Sequence, residues 1–211
     1  MENPEPSCAV TYRDTSKSGH FFVFEGPDGV GKSTLVSELA SYLRLAGEEV
    51  LSLSFPGREP GTIGRHVYDL HHSPKDFRIT EMSPASLQLL HIAAHIDLIE
   101  RAIVPALEEK RTVLLDRYWW STWVYGLMSN VPPEHLELMI NVEQFAWKGM
   151  KPCAAFLLQR DTARVDSAIL SAYHTLATQE AAVHPIVKID NASSITSLVH
   201  NVAATIFRYK R

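Results

Sequence analysis

One octapeptide constrains this chain more than any other feature: Gly26-Pro27-Asp28-Gly29-Val30-Gly31-Lys32-Ser33, a full match to G-x-x-x-x-G-K-[ST]. Before it, residues 21–24 form the apolar run Phe-Phe-Val-Phe; after it, Leu35, Val36, Leu39, Ala40 and Leu43 recur at helical spacing. Strand, glycine-rich turn and helix is the setting in which such a loop works. Backbone N–H groups and the positive end of the helix then converge on polyphosphate oxygens. The expected nucleotide-binding segment is Gly26, Asp28, Gly29, Val30, Gly31, Lys32, Ser33 and Thr34. Lys32 is placed to reach the β- and γ-phosphates of a donor such as ATP, and Ser33 to hold Mg²⁺.

The rest of the chain supplies a fold for that loop. Further apolar runs at 50–55, 112–115, 154–158 and 186–189 alternate with helix-periodic stretches. The helices are expected at 33–45, 85–110 (with Pro105 as a kink), 121–128, 133–147, 162–177 and 194–209. Strands separated by helices require right-handed crossovers and a parallel sheet covered on both faces. The expected architecture is therefore a three-layer α/β fold with a five-stranded parallel sheet. Residues 1–19, rich in Pro, Ser and charge, read as a flexible arm, and 20–211 as one domain. With 20 Lys+Arg against 24 Asp+Glu the net charge is −4, which gives no broad footprint for nucleic acid or an anionic membrane. Two cysteines, Cys8 and Cys153, are too few for a disulfide framework. No apolar run approaches the ~20 residues of a membrane span, and the polar start is not a secretory signal. A cytoplasmic location is the expectation.

A phosphate loop of this type is normally partnered by an acid at the end of a neighbouring strand. Thr112-Val113-Leu114-Leu115-Asp116 supplies it, with Arg117 adjacent. Asp116 can orient Mg²⁺ through water and Arg117 can neutralise a phosphoryl group in transit. A switch GTPase would need D-x-x-G and [NT]-K-x-D. Asp116-Arg117-Tyr118-Trp119 is not the first, and Val187-Lys188-Ile189-Asp190 lacks the Asn or Thr of the second. The length leaves little room for the insertions of a motor ATPase, so a small phosphotransferase fits best.

Three segments then make a resemblance specific: F-E-G-P-D-G-V-G-K-S-T, F-P-G-R-E-P-G-T-I-G and L-L-D-R-Y-W-W-S-T-W-V-Y-G. In order and spacing they resemble the thymidylate kinase family, from about His20 to Arg211. The resemblance implies a P-loop nucleoside-monophosphate-kinase fold. It also implies transfer of the ATP γ-phosphoryl group to dTMP or a related pyrimidine nucleotide, with Mg²⁺. Lys32, Asp116, Arg117 and Arg58 would carry catalysis, with Ser33 and Asp116 at the metal. By the same resemblance Asp28 would bond the acceptor's 3′-hydroxyl, Arg58 its phosphate, and Arg117 both phosphates. Phe55 would line the acceptor pocket, and Ser121 and Tyr125 would face its base or sugar. A homodimer packed through helices is implied as well. A nucleoside or modified-nucleotide kinase, and a non-catalytic nucleotide-binding regulator, are the alternatives.

Two places depart from the family pattern. The family carries an aromatic residue and an arginine on the long middle helix to hold thymine; this chain has His91 and His95 there, four residues apart on one helix face. They read as an acceptor pocket with altered base chemistry, as core histidines, or as a metal pair. The lid loop after the fourth strand is the second departure. It is nearly absent, leaving Arg160 or Arg164 to supply a lid arginine. Trp119, Trp120, Trp123 and Tyr125 read as core or dimer packing, or as a base-stacking wall, and His71-His72 as part of a polar loop.

Overall fold

The computed structural model describes residues 19–160 and 166–210. Five parallel strands form one sheet in the order β2-β3-β1-β4-β5: β1 (His20–Glu25), β2 (Val50–Ser54), β3 (Thr112–Asp116), β4 (Ala154–Gln159) and β5 (Ile186–Asp190). In register, β1 pairs Phe24 with Asp116 of β3 on one side and with Phe156 of β4 on the other. The phosphate loop and Asp116 therefore leave adjacent strands at the same edge. Ligands of parallel α/β sheets bind at that edge.

Period-2 alternation explains why the central strands are apolar throughout. Phe21 and Val23 of β1, Val113 and Leu115 of β3, and Ala155 and Leu157 of β4 join one core. Phe22 and Phe24, Leu114, and Phe156 and Leu158 join the other. Helices α1 (Lys32–Leu45) and α8 (Ile195–Tyr209) cover the second face. The first face is covered by α3 (Pro84–Leu98), α4 (Val104–Glu108), α5 (Trp119–Met128) and α7 (Ser167–Glu180); α2 (Ile63–His72) precedes α3 in the chain, and α6 (Pro133–Ala146) lies between α5 and α7. A side chain on either face of these strands is out of water, so they are apolar except toward their ends, where Thr112, Asp116 and Glu25 are buried.

The observed elements follow the sequence reading with three differences. Residues 63–72 form α2, so His71 and His72 lie in its last turn and not in a polar loop. Thr62 caps that helix, its Oγ1 accepting from the Arg65 N–H at 3.1 Å. The middle helix is not continuous over 85–110: a π-helical turn at Ile99–Ile103 separates α3 from α4. Pro105 lacks the N–H that would close an α turn on Arg101, and the chain widens immediately before it. Part of the expected helix at 162–177 lies outside the described residues, and α7 begins at Ser167. Among the described residues no helix is long and apolar enough to cross a membrane.

Candidate active site

At the end of β1, Gly26 turns the chain away with φ of +139°, where a Cβ would lie 2.2 Å from the Leu158 carbonyl oxygen of β4. Only glycine fits there. The loop then enters α1 through Gly31 with no side-chain cap and no acidic residue in the first turn. The orphan N–H groups of that turn are left for an anion. Lys32, 5% exposed, folds back so that Nζ donates to the Gly26 and Pro27 carbonyls at 2.7 Å each. Burial, reinforced by Arg117, lowers its pKa to about 8. Gly29, Ser33 and Thr34 are solvent-facing or nearly so at the loop's mouth, whereas Val30 is buried as its anchor.

One support of the loop was not legible in the sequence. Asn191, just past β5, donates from Nδ2 to the Val30 carbonyl at 2.7 Å, and the same nitrogen would be 2.5 Å from a Cβ at Gly31. Asn191 thus fixes the loop, and the φ of +95° at Gly31 is the left-handed backbone that favours glycine. The only cue was its place in the turn after the last strand.

At the end of β3, the Ser33 hydroxyl donates to Asp116 Oδ2 at 2.5 Å, while Asp116 Oδ1 is buried without a partner among the described residues. An orphaned carboxylate oxygen beside a loop hydroxyl is a donor set that suits Mg²⁺, which takes few protein oxygens and leaves the rest of its sphere to water and phosphate. Arg117 follows with φ of +75°, a left-handed conformation costly for a side-chain-bearing residue. That turn lifts its guanidinium toward the loop, where Nη2 pairs with the Asp28 carboxylate and Nη1 donates to Ser121 Oγ at 3.1 Å. Part-burial pushes the Asp28 carboxyl up, but Arg117, Tyr125 and Lys32 outweigh it and hold the pKa below the usual range. The Asp28 N–H donates to Tyr125 Oη at 3.2 Å.

Beside this loop lies a cavity of about 370 Å³. Asp28, Phe55, Arg58, His91, His95, Arg117, Ser121 and Tyr125 all line it, so the structure brings together the residues expected to hold an acceptor. Arg58 is exposed, with its guanidinium 5.2 Å above the Tyr68 ring of α2. His71, His72 and Gln88 also line the cavity, and the sequence reading assigned none of them to it. Arg160 lies exposed just after β4 and is not among the lining residues; Arg164 lies outside the described residues.

The two histidines differ in kind. His95, 3% exposed, stacks on Phe55 with ring centroids 3.9 Å apart, and its Nδ1 is 2.8 Å from Glu143 Oε2. Glu143 also accepts from Trp147 Nε1 at 3.2 Å, so the ring is locked at the floor of the cavity. His91 Nε2 meets His71 Nδ1 at 3.2 Å, and burial together with His95, His71 and Arg117 lowers its pKa to about 3. Among the described residues no three His, Cys, Asp or Glu side chains are grouped to hold a metal. The tryptophans are packing: Trp120 is fully buried, Trp119 and Trp123 lie against the core, and none of the three lines the cavity.

Burial of an imidazole carries a pH consequence. His91 and His184, lowered to about 3 and about 4, bind fewer protons folded than unfolded below the ordinary value of 6.5. Stability is therefore lost as pH falls from about 6.5 through those values. The melting temperature should drop more steeply between pH 7.5 and pH 5 in the natural chain than in His91→Gln, read by circular dichroism. Equal slopes would contradict the burial of a neutral ring at 91.

The geometry can be set beside known proteins. The thymidylate kinase family model matches residues 24–166. A thymidylate kinase of Bartonella quintana is 39% identical over 142 residues, covering 67% of this chain and 63% of that protein. One from Thermoanaerobacter sp. is 40% identical over 108 residues, covering 51% and 50%. The matched part thus spans between half and two thirds of these relatives' length. The crystal structure of thymidylate kinase from Ehrlichia chaffeensis superimposes with a TM-score of 0.71 at 22% identity, over 89% of this chain and 98% of that one, and shares the fold. A family model matching most of the chain, over the segment that builds the loop, Arg58 and the Asp116-Arg117 pair, places this chain in the thymidylate kinase family.

Proposed function

We propose that the chain is a nucleoside-monophosphate kinase that transfers the γ-phosphoryl group of ATP to dTMP or a closely related pyrimidine nucleotide. The observation that carries this is the adjacency of the two ligand sites: Arg117 and Asp28 belong both to the mouth of the phosphate loop and to the lining of the second cavity. A second guanidinium, Arg58, lines that cavity and argues for a phosphorylated acceptor over a bare nucleoside. Membership of the thymidylate kinase family supports the same reading.

In this mechanism the acceptor phosphate oxygen is the nucleophile, and the protein's task is positioning and charge neutralisation. Lys32 leaves the Gly26 and Pro27 carbonyls for the donor's terminal phosphates. Arg117 exchanges Asp28 for the phosphoryl group in transit, and Asp28, so freed, accepts from the sugar hydroxyl. That exchange is cheap, because the Asp28–Arg117 pair is largely exposed on the carboxylate side and such pairs are worth about 0–1 kcal/mol. Ser33 and Asp116 would hold Mg²⁺, which when bound neutralises charge on the donor phosphates.

Gln88 at the other wall supports a base-reading role. It is 6% exposed and lines the cavity three and seven residues before His91 and His95. A base edge with a donor beside an acceptor would pair with a carboxamide placed there. Gln88→Leu should raise the acceptor KM about tenfold with ATP affinity unchanged. An unaltered KM would remove Gln88 from the base site.

The functional reading is tested by coupled ADP release with dTMP, dUMP, dCMP and thymidine. Release is expected with monophosphates and not with thymidine; tight ATP binding with no acceptor-dependent release would favour a regulatory nucleotide binder. The chain also pairs with a second copy through α6, whose Leu138, Val142 and Phe145 are 66%, 54% and 79% exposed at helical spacing. Sedimentation should give a dimer, reduced to a monomer by Phe145→Glu; an unchanged mass would refute that interface.

A further inference from the structure

Glu25, the last residue of β1, is wholly buried immediately before the phosphate loop. The sequence reading gave it no role, and a carboxylate there demands an explanation. Its Oε1 accepts from the Tyr118 N–H at 2.6 Å and the Ser121 N–H at 3.0 Å. The first turn of α5 has no side-chain cap of its own, so Glu25 caps it from another strand. Its Oε2 accepts from the Ser121 hydroxyl at 2.8 Å.

The hydrogen count at Ser121 gives this arrangement a direction. The hydroxyl has one proton, committed to Glu25, and two lone pairs. Arg117 Nη1 donates to Ser121 Oγ at 3.1 Å, and Tyr173 of α7 reaches the same oxygen at 2.9 Å. With the proton on Glu25, both remaining contacts are filled by donors. The chain therefore runs from Arg117 through Ser121 to a carboxylate one residue from Gly26. Ser121 is bound into this relay and also lines the cavity.

We infer that Glu25 and Ser121 are positioning residues that hold the Arg117 guanidinium in register with the phosphate loop. Arg117 leaves β3 in a left-handed conformation, its other nitrogen bonds the exposed Asp28, and its guanidinium lies 5.7 Å from the Tyr125 ring centroid. Once a substrate takes Asp28 away, the bond to Ser121 stays, beside the contact with Tyr125. The relay thus binds donor loop and transfer arginine into one rigid unit while Asp28 is released. Burial, opposed by Arg117, Ser121, Lys32 and the Tyr118 N–H, raises Glu25 to about 7, in keeping with a carboxylate placed by its contacts and not by solvent.

The kinetic arm of the test rests on the phosphotransferase reading; the spectroscopic arm does not. Ser121→Ala leaves Glu25 its two backbone N–H donors and removes only the link to Arg117. In ligand-free protein labelled with ¹⁵N-arginine, Arg117 should show resolved, slowly rotating Nη signals that collapse in Ser121→Ala and in Glu25→Gln. In the coupled assay kcat should fall about 10–100-fold while the ATP dissociation constant and acceptor KM stay within about threefold. Unchanged guanidinium signals would overturn the inference whether or not the chain turns over. So would a raised acceptor KM with kcat retained, which would return Ser121 to direct acceptor contact. Lower stability with natural kcat would make the relay a brace only. Absence of turnover in the natural chain with the guanidinium signals behaving as expected would refute the kinase reading and leave the relay intact.

Discussion

Lys32→Met should abolish phosphoryl transfer, lowering kcat by about a thousandfold or more, while leaving the fold intact. In the free protein Lys32 is a buried cation whose proton is disfavoured by its surroundings, held by two main-chain carbonyls. Methionine matches its length without the charge and removes that desolvation cost, so the melting temperature should hold or rise. What it cannot do is neutralise the donor's terminal phosphates, where preorganised charge supplies most of the rate in this chemistry. ATP affinity should fall much less than kcat, because the loop's N–H groups remain. Near-natural turnover in this variant would mean that the loop binds phosphate without acting on it.

Arg117→Lys is the second large effect. Charge is kept and the fork is lost, so a point cation replaces a group that reaches Asp28 and Ser121 at once. Arginines that stabilise phosphoryl groups in transit contribute about 10³–10⁵ in kcat, and a drop of about 10²–10³ is expected with lysine in place. Acceptor KM should rise only severalfold, since Arg58 still lines the acceptor cavity. If KM rose a hundredfold with kcat intact, Arg117 would be an acceptor clamp with no part in the transfer.

Much of this architecture could be read from the chain because its signals are local. The run before Gly26, the periodicity after Ser33 and the acid ending the strand at Asp116 each depend on neighbours within a few residues. The register of β1 with β3 then brings the loop and Asp116 to one edge. The segment 63–72 was missed despite Thr62 as cap and Ile63, Val67 and Leu70 at helical spacing, because the preceding Pro and Gly residues read as loop. The π turn was anticipated as a proline kink but not in form, since widening a turn depends on which carbonyl loses its partner.

The unread parts of the site are long-range. Glu25 and Ser121 are 96 residues apart, and Asn191 and Val30 161 apart. No periodicity links such residues; only the folded sheet does. His91 and His95 were recognisable as departures from the family, yet their environments were not. That one locks on Glu143 and the other meets His71 follows from the packing of α6 and α2 against α3.

Direct transfer between two bound nucleotides is tested by following the phosphorus atom. With [γ-³²P]ATP and dTMP, the label should appear at the β position of dTDP at the rate of ADP release, with none bound to protein. Label recovered as inorganic phosphate, or retained covalently on the chain, would contradict it.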